Sequence, residues 1–530
     1  MSFHLSPDDL SALVKSMTPG EKRYFKLQSG LYSGSKMYMK LFDLLDRQQI
    51  RDEKEIKKRL TRETTAANFS VTKKYLFGQI IKSLKNYGTC HDSDSELNDL
   101  LETYKILQYK GMDRLSERVL QQAKRKAYEE DSFLRLCYIL VIELIRIAHS
   151  TSDLSMDSLE ERIDERRQVL GIIQNYSRIG DHLYLQRKII RQTGMVRDSF
   201  LQEKLNNNIE PLMKMRKEEL LSRTAEGMYT MALSDYYFAM GDAEQALHFL
   251  SGYISNQSFP DDTSRMELQH LNEYSNYFTL SLRSRHFRDF EHHLERFRSL
   301  ISHRNTPIDI VIYERWLFYS ATYLNVNGRF ADASLFFREY AETIKKIDNR
   351  MTRLTRTNLY YAQAYMHFGV KEYDQALRYV FKVMDETRSG SELHVFARLL
   401  SILIYYETEN WAALDYATRS AYRYLLKTKR LFRTEKLFLA FIRQLPSIQS
   451  GNDMIDRFSK LHSELETLFQ DNRERDVEYH IHIRAWLKSK MEGVDFASCV
   501  KSQVSSIRDE YELTESRGAS ARGQTHEEKA

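Results

Sequence analysis

The chain has 530 residues and a net charge of +5, and it contains only 6 prolines and 19 glycines. Because both residue types disrupt helix interiors, their scarcity predicts helices nearly throughout the chain. Its three cysteines, Cys90, Cys137 and Cys499, lie far apart and form no CxxC pair, which argues against a disulfide framework or a structural zinc site.

Three features of the sequence predict where in the cell the protein is located. The stretch Met1–Leu10 has no basic region followed by an apolar run, so we expect no secretory signal. The longest apolar run, 136–148, is interrupted by Glu143 and Arg146 and is too short to cross a bilayer. With no disulfide pattern either, we expect a cytoplasmic protein that does not bind membranes.

Residues 1–90 are predicted to form a separate N-terminal helical module. It carries 17 Lys or Arg and 9 Asp or Glu, so the positive charge of the chain is concentrated here. Thr18 and Glu21 have the spacing of a capping box, which predicts a helix start. The helices expected besides the one that starts there are Ser6–Met17, Met37–Gln48, Asp52–Leu60 and Asn68–Tyr87.

This basic module leaves open a second interpretation, a helix-turn-helix that contacts nucleic acid. The side chains that would do so share a positive charge and an expected exposure: Lys54, Lys57, Lys58, Arg59, Lys73 and Lys74. The alternative is an ordinary solvated helix face, because Glu53 and Glu55 are interspersed among these lysines.

The central part of the chain shows paired helical patterns. Apolar residues at helical spacing run from Ile312 to Tyr323, and Asn327-Gly328 then predicts a helix end. A second stripe from Ala333 to Ile344 follows. Two amphipathic helices joined by so short a turn must pack antiparallel, because each has one face to bury. The next pair repeats this pattern, with Gly369 marking its turn.

Small residues recur where paired helices would cross, each followed four positions later by a larger apolar residue. The pairs are Ala246 with Leu250, Ala333 with Phe337 and Ala376 with Val380. In this respect the chain resembles tetratricopeptide-like repeat proteins. Aligned crossing positions are Ala246, Phe290, Ala333, Ala376 and Leu414.

Steps between these crossing positions are 44, 43, 43 and 38 residues, longer than the tetratricopeptide period of about 34, so each helix should be about one turn longer. The resemblance implies an all-α fold, an αα-hairpin superhelical solenoid over 97–427. Extending the period towards the N-terminus predicts further crossings near Leu159 and Glu203, and at Pro211 we expect a kink or a helix start.

Beyond the array, 428–511 is predicted to form C-terminal capping helices, because a solenoid needs a polar-faced cap. The expected helices are Leu431–Leu445, Asp453–Phe469, Val477–Met491 and Phe496–Tyr511. The remaining 512–530 is small, polar and charged, and we expect it to be a disordered tail.

No motif indicates catalysis, a cofactor or a metal. HExxH, GxSxG and glycine-rich phosphate loops are absent from the sequence. His480 and His482 are separated by two, and on the helix expected here they diverge by about 200° and cannot share an ion. We therefore expect no enzyme, no cofactor and no metal site.

The resemblance implies instead a binding groove lined by the first helix of each hairpin. The residues that would face it mix aromatic and polar side chains: Asp235, Phe238, Arg315, Phe318, Asn358, Tyr361 and Tyr365. Such a surface suits an extended or helical peptide. The leading hypothesis is a non-enzymatic scaffold that binds another protein or peptide. The alternative is a regulator whose N-terminal module binds nucleic acid while the array recruits a partner.

Overall fold

A computed structural model describes residues 7–30, 37–47, 66–87, 93–149, 156–256, 268–287, 289–301, 307–387, 391–445 and 451–506. Over these ranges every regular element is helical, so the all-α prediction is confirmed. The helices are α1 Pro7–Ser16, α2 Pro19–Gly30, α3 Met37–Arg47, α4 Ala66–Tyr87, α5 Ser93–Tyr109, α6 Asp113–Glu129, α7 Phe133–His149, α8 Met156–Thr193, α9 Ser199–Met213, α10 Arg223–Ala239, α11 Ala243–Asn256, α12 Leu268–Ser284, α13 Phe290–Ser299, α14 Pro307–Val326, α15 Phe330–Glu339, α16 Ala341–Ile347, α17 Arg353–Gly369, α18 Tyr373–Glu386, α19 Glu392–Glu407, α20 Trp411–Lys427, α21 Arg433–Gln444, α22 Gly451–Leu468, α23 Asn472–Arg475, α24 Val477–His480, α25 Ile483–Glu492 and α26 at 496–506.

Helices α1 to α4 enclose a small core of their own around Phe25, Phe42 and Leu76. The predicted capping box is confirmed, since the Glu21 backbone N–H donates to Thr18 Oγ1 at 3.2 Å and the Thr18 N–H donates to the Glu21 carboxylate at 2.7 Å. The helix expected at Asp52–Leu60 lies outside the described residues.

Between α10 and α20, helices pack in antiparallel pairs joined by very short turns. Each turn places one residue in the left-handed region, at Gly241, Arg285, Gly328, Lys371 and Glu409. These positions are separated by 44, 43, 43 and 38 residues, the spacing seen in the sequence. In each turn, the N–H of the residue after the left-handed position donates to the carbonyl five residues earlier. In the α14–α15 turn the Arg329 N–H donates to the Leu324 carbonyl at 2.8 Å.

The crossing positions are buried in every pair, whether they hold a small or a large side chain. Ala246, Ala333 and Ala376 are fully buried, and so are Phe290 and Leu414. The first helix of a pair also packs on the first helix of the next pair, as α12 does on α14 and α14 on α17. The first helices α12, α14, α17 and α19 therefore form one row, which carries the site described below.

The glycine predicted to mark the α17 turn has a different role. Gly369 is the last helical residue, and the left-handed position is Lys371 two residues later. A Cβ at Gly369 would lie 2.2 Å from the ring of Phe330, so the glycine is required by close packing between α15 and α17.

Towards the N-terminus the hairpin pattern is less regular. A single helix of 38 residues, α8, spans Met156–Thr193 without an internal turn. Pro211 lies in the last turn of α9, so the expectation of a helix start at this residue is wrong. Across the part of the chain that the structure describes, no helix is long and apolar enough to cross a membrane.

The C-terminal helices run back along the array instead of lying only beyond α20. The ring of Phe496 stacks on Phe330 of α15, with 5.6 Å between centroids. At the α14–α15 turn, a Cβ on Gly328 would lie 2.9 Å from the carbonyl oxygen of Ala497. The hairpins from α17 to α20 and the C-terminal helices therefore share one apolar core, whereas α11 to α14 belong to a neighbouring apolar cluster.

The prediction of one helix over Val477–Met491 is wrong. Helix α24 ends at His480, Ile481 is extended with φ −143° and ψ 118°, and α25 begins at Ile483. We call residues 472–484 the inner segment, because this interrupted stretch is buried against the first helices α17 and α19.

Candidate partner-binding groove

The inner segment is bound by two tyrosines of α17 that were predicted to line the groove. The Tyr361 hydroxyl donates to the His480 carbonyl at 3.0 Å, and the Tyr365 hydroxyl accepts from the His482 backbone N–H at 3.0 Å. Tyr365 also lies 2.7 Å from His482 Nδ1. Burial raises the pKa of both tyrosines well above the ordinary value, so their hydroxyls stay protonated and able to hydrogen-bond.

Each of the two histidines of the inner segment stacks on an aromatic ring of a first helix. The ring of His480 lies 3.9 Å from that of Phe396, and His482 stacks on Tyr365. Burial, followed by the charge of Arg285, lowers the pKa of His482 to about 3, which keeps its ring neutral. Within the described ranges no group of His, Cys, Asp or Glu side chains could hold a metal ion.

Buried ion pairs connect the inner segment to distant hairpins. Arg283 of α12 contacts the Asp476 carboxylate at 2.6 Å and Glu392 of α19 at 3.1 Å. Arg197 contacts both Glu435 and Glu474, at 3.2 Å and 3.4 Å. Breaking a buried pair by removing one partner costs about 3–5 kcal/mol, because an uncompensated charge remains. The inner segment is therefore anchored as part of the interior.

Glu478 is the most heavily engaged acid of the inner segment. Burial opposes its ionisation, but hydrogen bonds and charge from Arg484 lower the pKa of this carboxyl to about 2. Arg484 Nε donates to Glu478 Oε1 at 2.9 Å, and Gln503 donates to Oε2 at 2.6 Å. The carboxylate is therefore ionised and already saturated by these two partners.

Beside the inner segment lies a cavity of about 660 Å³ that remains open. Four of the seven predicted groove residues line it: Phe318, Asn358, Tyr361 and Tyr365. Tyr479 and His480 of the inner segment form part of its wall. Leu354, with 69 % of its surface exposed, is among the lining residues.

The other predicted groove residues are engaged elsewhere. Asp235 accepts from Arg187 Nε at 2.9 Å, and Arg315 donates to Ser275 and to Asn272. The ring of Phe238 lies under the Arg283 guanidinium at 5.1 Å. The structure thus brings four of the seven residues together and leaves Asp235, Phe238 and Arg315 outside the cavity.

Two buried oxygens among the lining residues have hydrogen-bonding capacity left over. Asn325 donates through its amide to the Ala362 carbonyl at 2.8 Å, while its Oδ1 has no hydrogen-bond partner among the described residues. Thr322 Oγ1 has none there either. Both oxygens are buried away from solvent, so among these polar groups the amide of Asn358 is the one that can donate to and accept from a peptide backbone.

The structure gives little support to the hypothesis that basic side chains of the N-terminal module contact nucleic acid. Lys73 is only 7 % exposed, and its Nζ lies over the Phe69 ring at 5.2 Å, so the expectation that it is exposed is wrong. Lys74 is exposed as expected. The other four positions, Lys54, Lys57, Lys58 and Arg59, lie outside the described residues.

Sequence reasoning missed the inner segment. Apolar residues alternate at Val477, Tyr479, Ile481 and Ile483, but only Ile481 among them is extended, so this alternation does not mark the break. All four belong to or contact the buried core.

Comparison with known proteins adds no assignment. The chain matches no known protein family. No significant match was found among curated proteins.

Proposed function

We propose that the chain is a non-enzymatic interaction scaffold. In this proposal its hairpins form a tetratricopeptide-like superhelical solenoid, and the cavity beside the inner segment binds an extended peptide of a partner protein. The near-equal spacing of the left-handed turns and the contacts between successive first helices from α12 to α19 support the solenoid arrangement.

The observation that carries the proposal is the way the groove already holds peptide backbone. Tyr361 and Tyr365 hydrogen-bond a main-chain carbonyl and a main-chain N–H of the inner segment, and both also line the open cavity. A second extended peptide would find a further hydrogen-bonding group at Asn358 and apolar surface at Leu354. Hydrogen bonds to the peptide backbone would supply binding affinity, and the apolar wall of the cavity would determine which peptide side chains fit.

The experiment compares two exposed leucines changed to aspartate. Leu354 lines the cavity, whereas Leu335 on the return helix α15 is 60 % exposed and does not line it. Proteins captured from the native cells by the intact chain, by Leu354→Asp and by Leu335→Asp are quantified, and binding of the captured partner is then measured with purified components.

We expect a partner that is retained by the parent chain and by Leu335→Asp, and whose affinity for Leu354→Asp is at least about tenfold weaker, because a carboxylate would be desolvated against the apolar wall. Loss of the partner from both variants, or from neither, would contradict the proposal. Circular dichroism of the three chains checks that the helical content is unchanged.

A further inference from the structure

The surface formed by α20 and α21 is strongly basic. Over 415–436 the chain has seven Lys or Arg and only two acids, Asp415 and Glu435. Glu435 is buried against Arg197, and Asp415 pairs with Arg419, so neither carboxylate is available to the other cations. Five of the cations are exposed and form no ion pair with any described residue: Arg423, Lys427, Lys429, Arg433 and Lys436.

Most of these cations lie on two exposed stripes that run side by side. On α20, positions 416, 419, 423 and 427 follow helical spacing, and all four are exposed. On α21 the exposed positions are 433, 436, 440 and 443. The helices are joined by a short turn at 428–432, and the Arg443 guanidinium lies over the Tyr422 ring of α20 at 4.4 Å, so the stripes meet at the helix boundary. We call the exposed residues of the two stripes the α20–α21 surface.

The return helix of the preceding hairpin carries no such excess of one sign. The exposed charges on α18 include Asp374 and Asp385 as well as Arg378 and Lys382. A solvated helix face of this ordinary kind balances its own charges, whereas unpaired cations gathered on one surface repel one another. Their concentration on the α20–α21 surface therefore indicates an anionic partner.

The cations of this surface are interleaved with aromatic rings. Tyr416 is 68 % exposed, and its ring stacks on no other ring in the part of the chain that the structure describes. Tyr422 lies half-buried between the two stripes. Proteins that bind single-stranded nucleic acid combine a positive surface for the phosphates with exposed rings on which bases stack. An acidic protein segment would use the cations but would leave the Tyr416 ring without a stacking partner.

We propose that the α20–α21 surface binds single-stranded nucleic acid, RNA or DNA. Lysines and arginines of both stripes contact phosphates, and the Tyr416 ring stacks on a base. A duplex keeps its bases inside the helical stack, so the exposed ring favours a single strand. This surface is separate from the cavity that we propose binds a peptide, because none of its residues lines that cavity.

The test measures binding of the intact chain to two fluorescein-labelled probes by fluorescence anisotropy at several salt concentrations. The probes are oligo(U) and oligo(dT) of about 20 nucleotides, longer than the usual site size of a single-strand binding surface. One variant, Arg423→Gln with Lys427→Gln, removes two neighbouring cations of α20. Its control, Arg114→Gln with Arg118→Gln, removes the same charge at the same spacing from exposed positions of α6. Tyr416→Ala removes the ring and no charge.

We expect the parent chain and the α6 control to bind a probe with salt-dependent affinity, and the tighter probe identifies the type of strand. The α20 double variant should bind at least about tenfold more weakly. Its slope of log K against log salt should be smaller by about 1.4, since each single-strand phosphate contact contributes about 0.7. Tyr416→Ala should bind at least about fivefold more weakly with an unchanged slope, because a lost base stack releases no counterions.

The proposal is overturned if the parent chain binds neither probe, or if the α20 double variant and its α6 control lose the same affinity. Unchanged affinity of Tyr416→Ala would also overturn it. Displacement of the probe by polyglutamate in that case would identify an acidic protein segment as the occupant of this surface.

Discussion

At the scale of single residues, Tyr365 carries the clearest expectation. Its hydroxyl accepts from the buried His482 N–H, so Tyr365→Phe leaves that donor unpaired in the interior. We expect a loss of about 1–3 kcal/mol in the free energy of unfolding, measured by urea denaturation. Tyr416→Phe, at a tyrosine that is 68 % exposed, should stay within about 0.5 kcal/mol of the parent chain. Equal stability of the two variants would contradict the account of this contact.

Four of the seven residues that the resemblance to tetratricopeptide-like repeats placed in the groove, Phe318, Asn358, Tyr361 and Tyr365, line one cavity, and the other three do not. Whether this surface binds a partner stays a prediction. Helical spacing could not show that Tyr365 meets His482, because 117 residues separate them and no local pattern encodes such a contact. Nor could it show that Lys73 is buried, since a basic side chain can lay its stem and its charge against a neighbouring ring.

At the scale of elements, α26 packs on the α14–α15 turn. The stability that this contact contributes can be measured by comparing alanine substitutions at two glycines. Gly328 and Gly111 have φ of 68° and 69°, so alanine at either position meets the same backbone penalty. A Cβ at Gly328 would also press on the backbone at Ala497 and Lys501, whereas one at Gly111 would meet nothing within 4 Å.

We therefore expect Gly328→Ala to reduce the free energy of unfolding by at least about 1 kcal/mol more than Gly111→Ala, because the last helix must shift. The measurement is chemical denaturation of both variants and the parent chain. If the two substitutions cost the same, α26 is not packed against this turn in solution.

Helix ends were predictable where the residues at the end themselves favour a turn or a cap. Asn327-Gly328 and the Thr18–Glu21 capping box mark helix ends through residues that stabilise them directly. The break at Ile481–His482 has no glycine or proline; Ile481 is extended there because Tyr365 and the aromatic stacks hold the neighbouring histidines in place. Tertiary contacts of this kind override local helix propensity and are not visible in a short window of sequence.

At the scale of the whole molecule, the inner segment adds long-range connections to an otherwise local architecture. In a simple repeat array each unit contacts only its neighbours. Here ion pairs join residues 193, 238 and 277 positions apart, from Arg283 to Asp476 and from Arg197 to Glu435 and Glu474. The hairpins from α10 to α20 and the C-terminal helices should consequently unfold together.

Amide hydrogen exchange of the intact chain tests this central claim most directly. If the inner segment is part of the interior, amides such as those of Ile481 and His482 should exchange as slowly as the amides in the middle of α17, through the same global opening. Exchange of Ile481 and His482 at rates close to those of an unstructured peptide, while α17 stays protected, would contradict it.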